Sequence, residues 1–192
     1  MATKTWHVCI SGFTQKSNTP HGVFRLWQKL CQYRNSNTAV ELFPWNAKWE
    51  ELAECIFLCS SEIKPKIYLY CYSWGGGWGM TRLCTALQKR GLTVTHVVLS
   101  DAVYRHWYLL GSWRALVPWS RITVPSNVRR VTWFRQKESL PSGHNLRAQD
   151  PTATYIEKPT WLKLSHVYAD DSQAFHDACL KVAAHAHGAK ND

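Results

Sequence analysis

Between Tyr68 and Leu83 the chain reads YLYCYSWGGGWGMTRL. An aromatic and aliphatic run stops at Ser73, passes three consecutive glycines, and resumes with helical spacing at Met80, Leu83, Cys84 and Leu87. A short run with so little polar interruption reads as a central strand of a parallel sheet, buried on both faces. Ser73 therefore stands where strand turns into helix, among neighbours too small to hinder a sharp bend. Either the backbone turns tightly under a reactive hydroxyl, or free N–H groups at the helix start cradle an anion. The second reading lacks its companions, because neither a Gly-Lys-Ser/Thr ending nor a Gly-x-Gly-x-x-Gly spacing is present.

Outward from this junction, strand and helix patterns alternate. Residues 5–11, 38–43, 66–72, 94–100, 128–134 and 153–158 read as strands. Helices are expected over 21–34, with Val23, Phe24, Trp27, Leu30 and Cys31 recurring on one side after a Thr19-Pro20 start, and over 46–58. The second would be capped by Asn46 and bury Trp49, Leu52, Ala53, Ile56 and Phe57. A third helix follows Ser73 and ends at Gly91. A fourth, over 172–186, turns Phe175, Cys179, Val182, Ala183 and Ala186 inward. The alternation predicts an α/β three-layer sandwich with a mostly parallel sheet, and residues 1–192 are read as a single domain. Ligands in such sheets bind outside the carboxyl ends of the strands. That rule selects Gly12-Phe13-Thr14, Ser73 and Asp101, with His166 just ahead of the last helix.

Composition sets the outer bounds. The chain has 192 residues, 45% hydrophobic and 19% charged, with a net charge of +10. That charge permits contact with nucleic acid or another polyanion without arguing for it. Seven irregularly spaced cysteines favour neither a disulfide framework nor a zinc site. Cys9, Cys31, Cys71, Cys84 and Cys179 fall in apolar patterns and read as small buried hydrophobes. No run is long and apolar enough to span a membrane, and the first residues lack the pattern of a signal peptide, so the expected home is the cytoplasm.

Cys71-Tyr-Ser73-Trp-Gly75 resembles the Gly-x-Ser-x-Gly nucleophile elbow of the α/β-hydrolase family, with strand before and helix after. Cys71 departs from the motif at its first glycine. The resemblance implies a small serine esterase or lipase-like enzyme that cleaves a carboxylic ester through an acyl-enzyme, without metal or organic cofactor. It implies Ser73 as nucleophile, His166 as base and Asp101 as the orienting acid, in that family's chain order of nucleophile, acid, histidine. Backbone N–H groups of Phe13, Thr14 and Trp74 would form the oxyanion hole. The same elbow serves thioesterases, amidases and acyltransferases.

Rivals for each role remain in the sequence. Most of the family carries the acid one strand later, which points to Glu138; a minority, pancreatic lipases among them, carry it where Asp101 stands. His144 competes with His166. Residues 104–125 are apolar and irregular, and read as a lid or pocket wall in which Trp107, Tyr108, Trp113 and Trp119 would bind substrate, or else as core over the sheet edge. Arg114, Arg121, Arg129, Arg130, Arg135, Lys137 and Arg147 interleave with tryptophans, a pattern that also suits a non-catalytic nucleic-acid-binding module or attraction of an anionic small-molecule or polymeric ester. Oligomeric state is not legible.

Overall fold

Every residue of Thr5–Ile10 (β1) is buried, and so is all of Lys66–Tyr72 (β3) beyond its first residue. Strands covered on both faces need helices above and below them. The computed structural model, which describes residues 5–15, 19–60, 63–104 and 120–188, supplies both layers. With Thr38–Phe43 (β2), His96–Ser100 (β4), Arg130–Gln136 (β6), Tyr155–Ile156 (β8) and Thr160–Leu162 (β9), the main sheet has seven parallel strands in the order β2-β1-β3-β4-β6-β8, with β9 also on β6. Arg121–Val124 (β5) and Asn145–Ala148 (β7) form a separate parallel pair. The α/β layered architecture expected from the alternation is the one observed.

Side-chain alternation divides the core in two. Val8, Ile10, Leu69, Cys71, Val97 and Leu99 pack with Trp49–Leu58 (α2) and Met80–Lys89 (α3). Cys9, Tyr68, Tyr70, Tyr72, Val98 and Phe134 pack with Gly22–Leu30 (α1) and Gln173–Ala186 (α4) on the opposite face. The chain leaves β1 through α1 to reach β2, then returns through α2 to β3 on the other side of β1. Strand order thus reverses at β1, and the crevice this creates lies at the carboxyl ends of β1 and β3. Gly12 follows one strand and Ser73 the other.

Local details differ from the sequence reading for identifiable reasons. Helix α2 starts at Trp49, not Asn46, because Pro44–Ala47 close a turn through Ala47 N–H to Pro44 O at 3.1 Å. Phe57 is 44% exposed: it lies about 80° round the helix from Trp49, at the rim of a stripe already filled by Leu52, Ala53 and Ile56. In α1 the buried residues are Val23, Leu26 and Leu30, with Phe24, Trp27 and Cys31 half-buried, and His21 rather than Thr19 caps the helix through Nδ1 and Phe24 N–H at 3.2 Å. The 153–158 strand shrinks to Tyr155–Ile156. Of residues 104–125, 105–119 lie outside the described residues, and Arg121–Val124 is strand.

One buried group in β1 carries a consequence for stability. His7 Nδ1 meets the Tyr70 hydroxyl at 2.9 Å, and Nε2 meets His187 Nε2 at 3.0 Å just after α4. The ring stacks on Tyr68 with centroids 5.2 Å apart. Burial, then the neighbouring His187, lowers its pKa from 6.5 to about 3. Between those values the unfolded chain binds a proton at this position and the folded chain does not, so stability falls as pH falls through that window. Urea unfolding from pH 7 to pH 4 is expected to show wild type losing stability more steeply than His7→Gln, by about 1 kcal/mol per pH unit below pH 6.

Candidate active site

Ser73 follows β3 directly and adopts φ 51°, the left-handed region. For a non-glycine residue that costs roughly 1–2 kcal/mol, so its surroundings must hold it there. Ser73 N–H donates to Ser100 O at the end of β4 (3.1 Å), while its carbonyl accepts from Gly76, Gly77 and Val103 N–H (all 3.0 Å). The helical segment then begins with π-type winding over Gly75–Gly79. A Cβ on Gly75 would sit 2.4 Å from Ile10 O, and one on Gly77 would sit 1.7 Å from Val103 O. Glycine at these two positions lets the turn lie against β1 and the chain after β4. Cys71, at the motif's first glycine, is fully buried in the α2–α3 core, where its thiol, pushed well up by burial, behaves as a small hydrophobe.

The Ser73 hydroxyl lies 3.0 Å from His166 Nε2, and His166 Nδ1 lies 2.6 Å from Asp101 Oδ2. His166 opens a 3₁₀ segment, His166–Asp171, and is itself held at three further points. Its N–H donates to Ser139 Oγ (2.7 Å), its carbonyl accepts from the Tyr72 hydroxyl (2.8 Å), and the Tyr72 ring stacks on the imidazole at 5.1 Å. Burial and the charges of Asp170 and Asp101 push the Tyr72 phenol far above its ordinary pKa, which keeps that donor protonated. Asp101, at φ 42°, is fully buried; besides His166 it accepts from Gln136 Nε2 (2.9 Å), Gln136 N–H (3.2 Å) and Gly143 N–H (2.7 Å). Charge-assisted donors of this kind are what a carboxylate needs when removed from water.

Across the crevice, Gly12–Gln15 form a turn with Thr14 at φ 66° and Gln15 N–H on Gly12 O at 3.3 Å. Phe13 leans on Trp74, ring centroids 4.1 Å apart, and Trp45 meets Trp74 at 5.0 Å, so an aromatic shelf borders Ser73. The other candidates stay apart. Glu138 is exposed. His144 accepts from Tyr104 N–H at 3.1 Å, within the chain after β4. Trp107, Tyr108, Trp113 and Trp119 lie outside the described residues, as does Arg114. Among the basic residues, Arg130 pairs with Glu157 at 2.5 Å, and Arg135 and Lys137 lie over the Trp161 ring at 5.0 and 4.3 Å.

No family model matches the sequence, and no curated protein matches it. Solved structures do. RedJ with a PEG molecule bound in its active site superposes with a TM-score of 0.54 at 12% identity, over 95% of this chain and 93% of that one. The RedJ thioesterase from the prodiginine biosynthetic pathway of Streptomyces coelicolor gives 0.50 at 13% identity, over 95% and 85%. The fold is that of the α/β-hydrolases.

On this α/β-hydrolase scaffold the sequence reading passed over Gln136, Tyr72, Ser139 and Gln15. A single amide or hydroxyl at a strand end carries no periodic signal, although Gln136 closes an apolar strand and could have been noticed for that. Its Nε2 donates to Asp101 Oδ2 and faces Ser139 O and Pro141 O (both 3.0 Å), while Oε1 accepts from Ser139 N–H (2.9 Å). Gln136→Leu keeps the volume and removes every one of these. Chemical denaturation at neutral pH should show a loss of about 2–3 kcal/mol, since a buried carboxylate loses a donor and the loop after β6 loses its tie.

Proposed function

We propose that the chain is a serine hydrolase that cleaves an acyl ester, with Ser73 as nucleophile, His166 as general base and Asp101 as the group that orients the imidazole. The observation carrying this reading is the unbroken line from hydroxyl to imidazole to buried carboxylate, with steps of 3.0 and 2.6 Å. A serine hydroxyl is a weak nucleophile until a base stands within hydrogen-bond reach. In the reaction, Ser73 Oγ bonds to the acyl carbon as its proton passes to His166 Nε2. The carbonyl electrons move onto oxygen, where the backbone N–H groups of Trp74 and of the Phe13–Thr14 turn would receive the negative charge. Collapse breaks the bond to the leaving group, which takes the proton from His166. Water then repeats the sequence on the acyl-enzyme, and a carboxylic acid and free Ser73 result.

The aromatic shelf of Phe13, Trp45 and Trp74 supports an apolar acyl or leaving group over a charged one. A thioester in place of an oxygen ester is the second reading. It is favoured by the shared fold with the RedJ thioesterase, and it needs no change in the serine chemistry. A purely nucleic-acid-binding role draws less support, because Arg135 and Lys137 already cover the chain's own Trp161. Seven unpaired cysteines fit a reducing compartment such as the cytoplasm.

Short-chain p-nitrophenyl esters and acyl thioesters, with released thiol read by a chromogenic disulfide, measure both bonds side by side. Ser73→Ala should lower turnover of the preferred substrate by about 10³-fold or more, and a fluorophosphonate should label wild type at Ser73 alone. Unchanged turnover in Ser73→Ala would remove the proposal.

A further inference from the structure

Asp170, a second carboxylate near the site, is 2% exposed. Its Oδ2 accepts from Val23 N–H at the start of α1 (3.1 Å) and from Gln15 Nε2 (2.8 Å), with His21 Nδ1 at 3.9 Å. Gln15 in turn uses its other end: Oε1 accepts from Gly12 N–H at 2.8 Å, and its main-chain carbonyl accepts from Ser11 Oγ at 3.2 Å. The turn this amide braces holds Thr14 at φ 66°, a conformation that a β-branched residue resists. Asp170 belongs to the same 3₁₀ segment that His166 opens. One amide therefore links the loop after β1 to the segment bearing the imidazole.

We infer that Gln15 and Asp170 are positioning residues, a clamp that keeps the Phe13–Thr14 N–H groups and His166 in register over Ser73. The inference rests on the proposed hydrolase reading. Capping of α1 explains the bond from Asp170 to Val23 but gives no use to Gln15, whose amide reaches both Asp170 and Gly12. Donor loops of this kind act by being fixed before charge develops, so a loosened loop lowers the rate of the chemical step more than substrate binding.

The test uses the full chain, with a short-chain p-nitrophenyl ester for kinetics and urea unfolding to verify the fold. Gln15→Glu turns two carboxylates toward each other and should lower kcat by about 10- to 100-fold, with KM within about threefold. Gln15→Ala carries the same expectation and serves if the charged variant fails to fold. Asp170→Ala should lower kcat at least as far as Gln15→Ala, and the double variant Gln15→Ala/Asp170→Ala should lose no more than Asp170→Ala alone, because the two residues act through one bond. Activity that needs Ser73 yet stays within about twofold in Gln15→Ala, or a double variant in which the two single losses simply add, overturns the clamp. Activity indifferent to Ser73→Ala instead removes the hydrolase reading beneath it.

Discussion

The bend at Ser73 is the constraint on which the rest of the site depends. A left-handed residue directly after a buried strand aims its side chain out of the sheet's carboxyl edge, and it persists only if the chain on every side accepts it. Four hydrogen bonds at the Ser73 peptide groups, one donated to β4, two accepted from the glycine turn and one from Val103, supply that support. The near contacts at Gly75 and Gly77 show how little room remains. A side chain at either would push the turn off β1 or off the chain after β4. Ser73 would then lose its 3.0 Å separation from His166. The reversal of strand order at β1 puts Ser73 at the switch point of the sheet, where ligands of such folds bind.

Legibility of the sequence followed burial. β1, β3 and β4 were readable because strands covered on both faces carry nearly unbroken apolar runs, whereas β5, β7 and β9, short and alternating with exposed residues, give no such signal. The strand-end rule selected Ser73 and Asp101, and the elbow resemblance gave them and His166 their expected roles; the structure brings the three side chains together. Glu138 sits in an exposed stretch after β6, while Asp101 directly follows β4 and is buried against Gln136, Gly143 and His166. What the sequence hid is the grip on those groups. Gln136, Gln15 and Ser139 act through contacts between segments far apart in the chain, and no local pattern encodes such a contact. The same reason explains the start of α1, capped by His21 and bonded at Val23 N–H to the distant Asp170.

Both buried carboxylates at the site accept from amide N–H groups, with a histidine beside each and no lysine or arginine bonded to either among the described residues, and this matters in a chain of net charge +10. A guanidinium bonded to Asp101 would fix it as well as Gln136 does, but would also cancel the negative charge that steadies a protonated imidazole. Arg135 shows the alternative kept at one remove: it bonds Gly143 O and Asn145 Oδ1, stacks on Trp133 and Trp161, and leaves the carboxylate to neutral N–H donors. Neutral donors orient a carboxylate and meet its need for hydrogen bonds while leaving its field intact. In the proposed reaction that field is what favours movement of the Ser73 proton onto His166. An arginine in place of Gln136 would weaken that field and would offer no acceptor to Ser139 N–H, which is a physical reason for an amide at the end of β6.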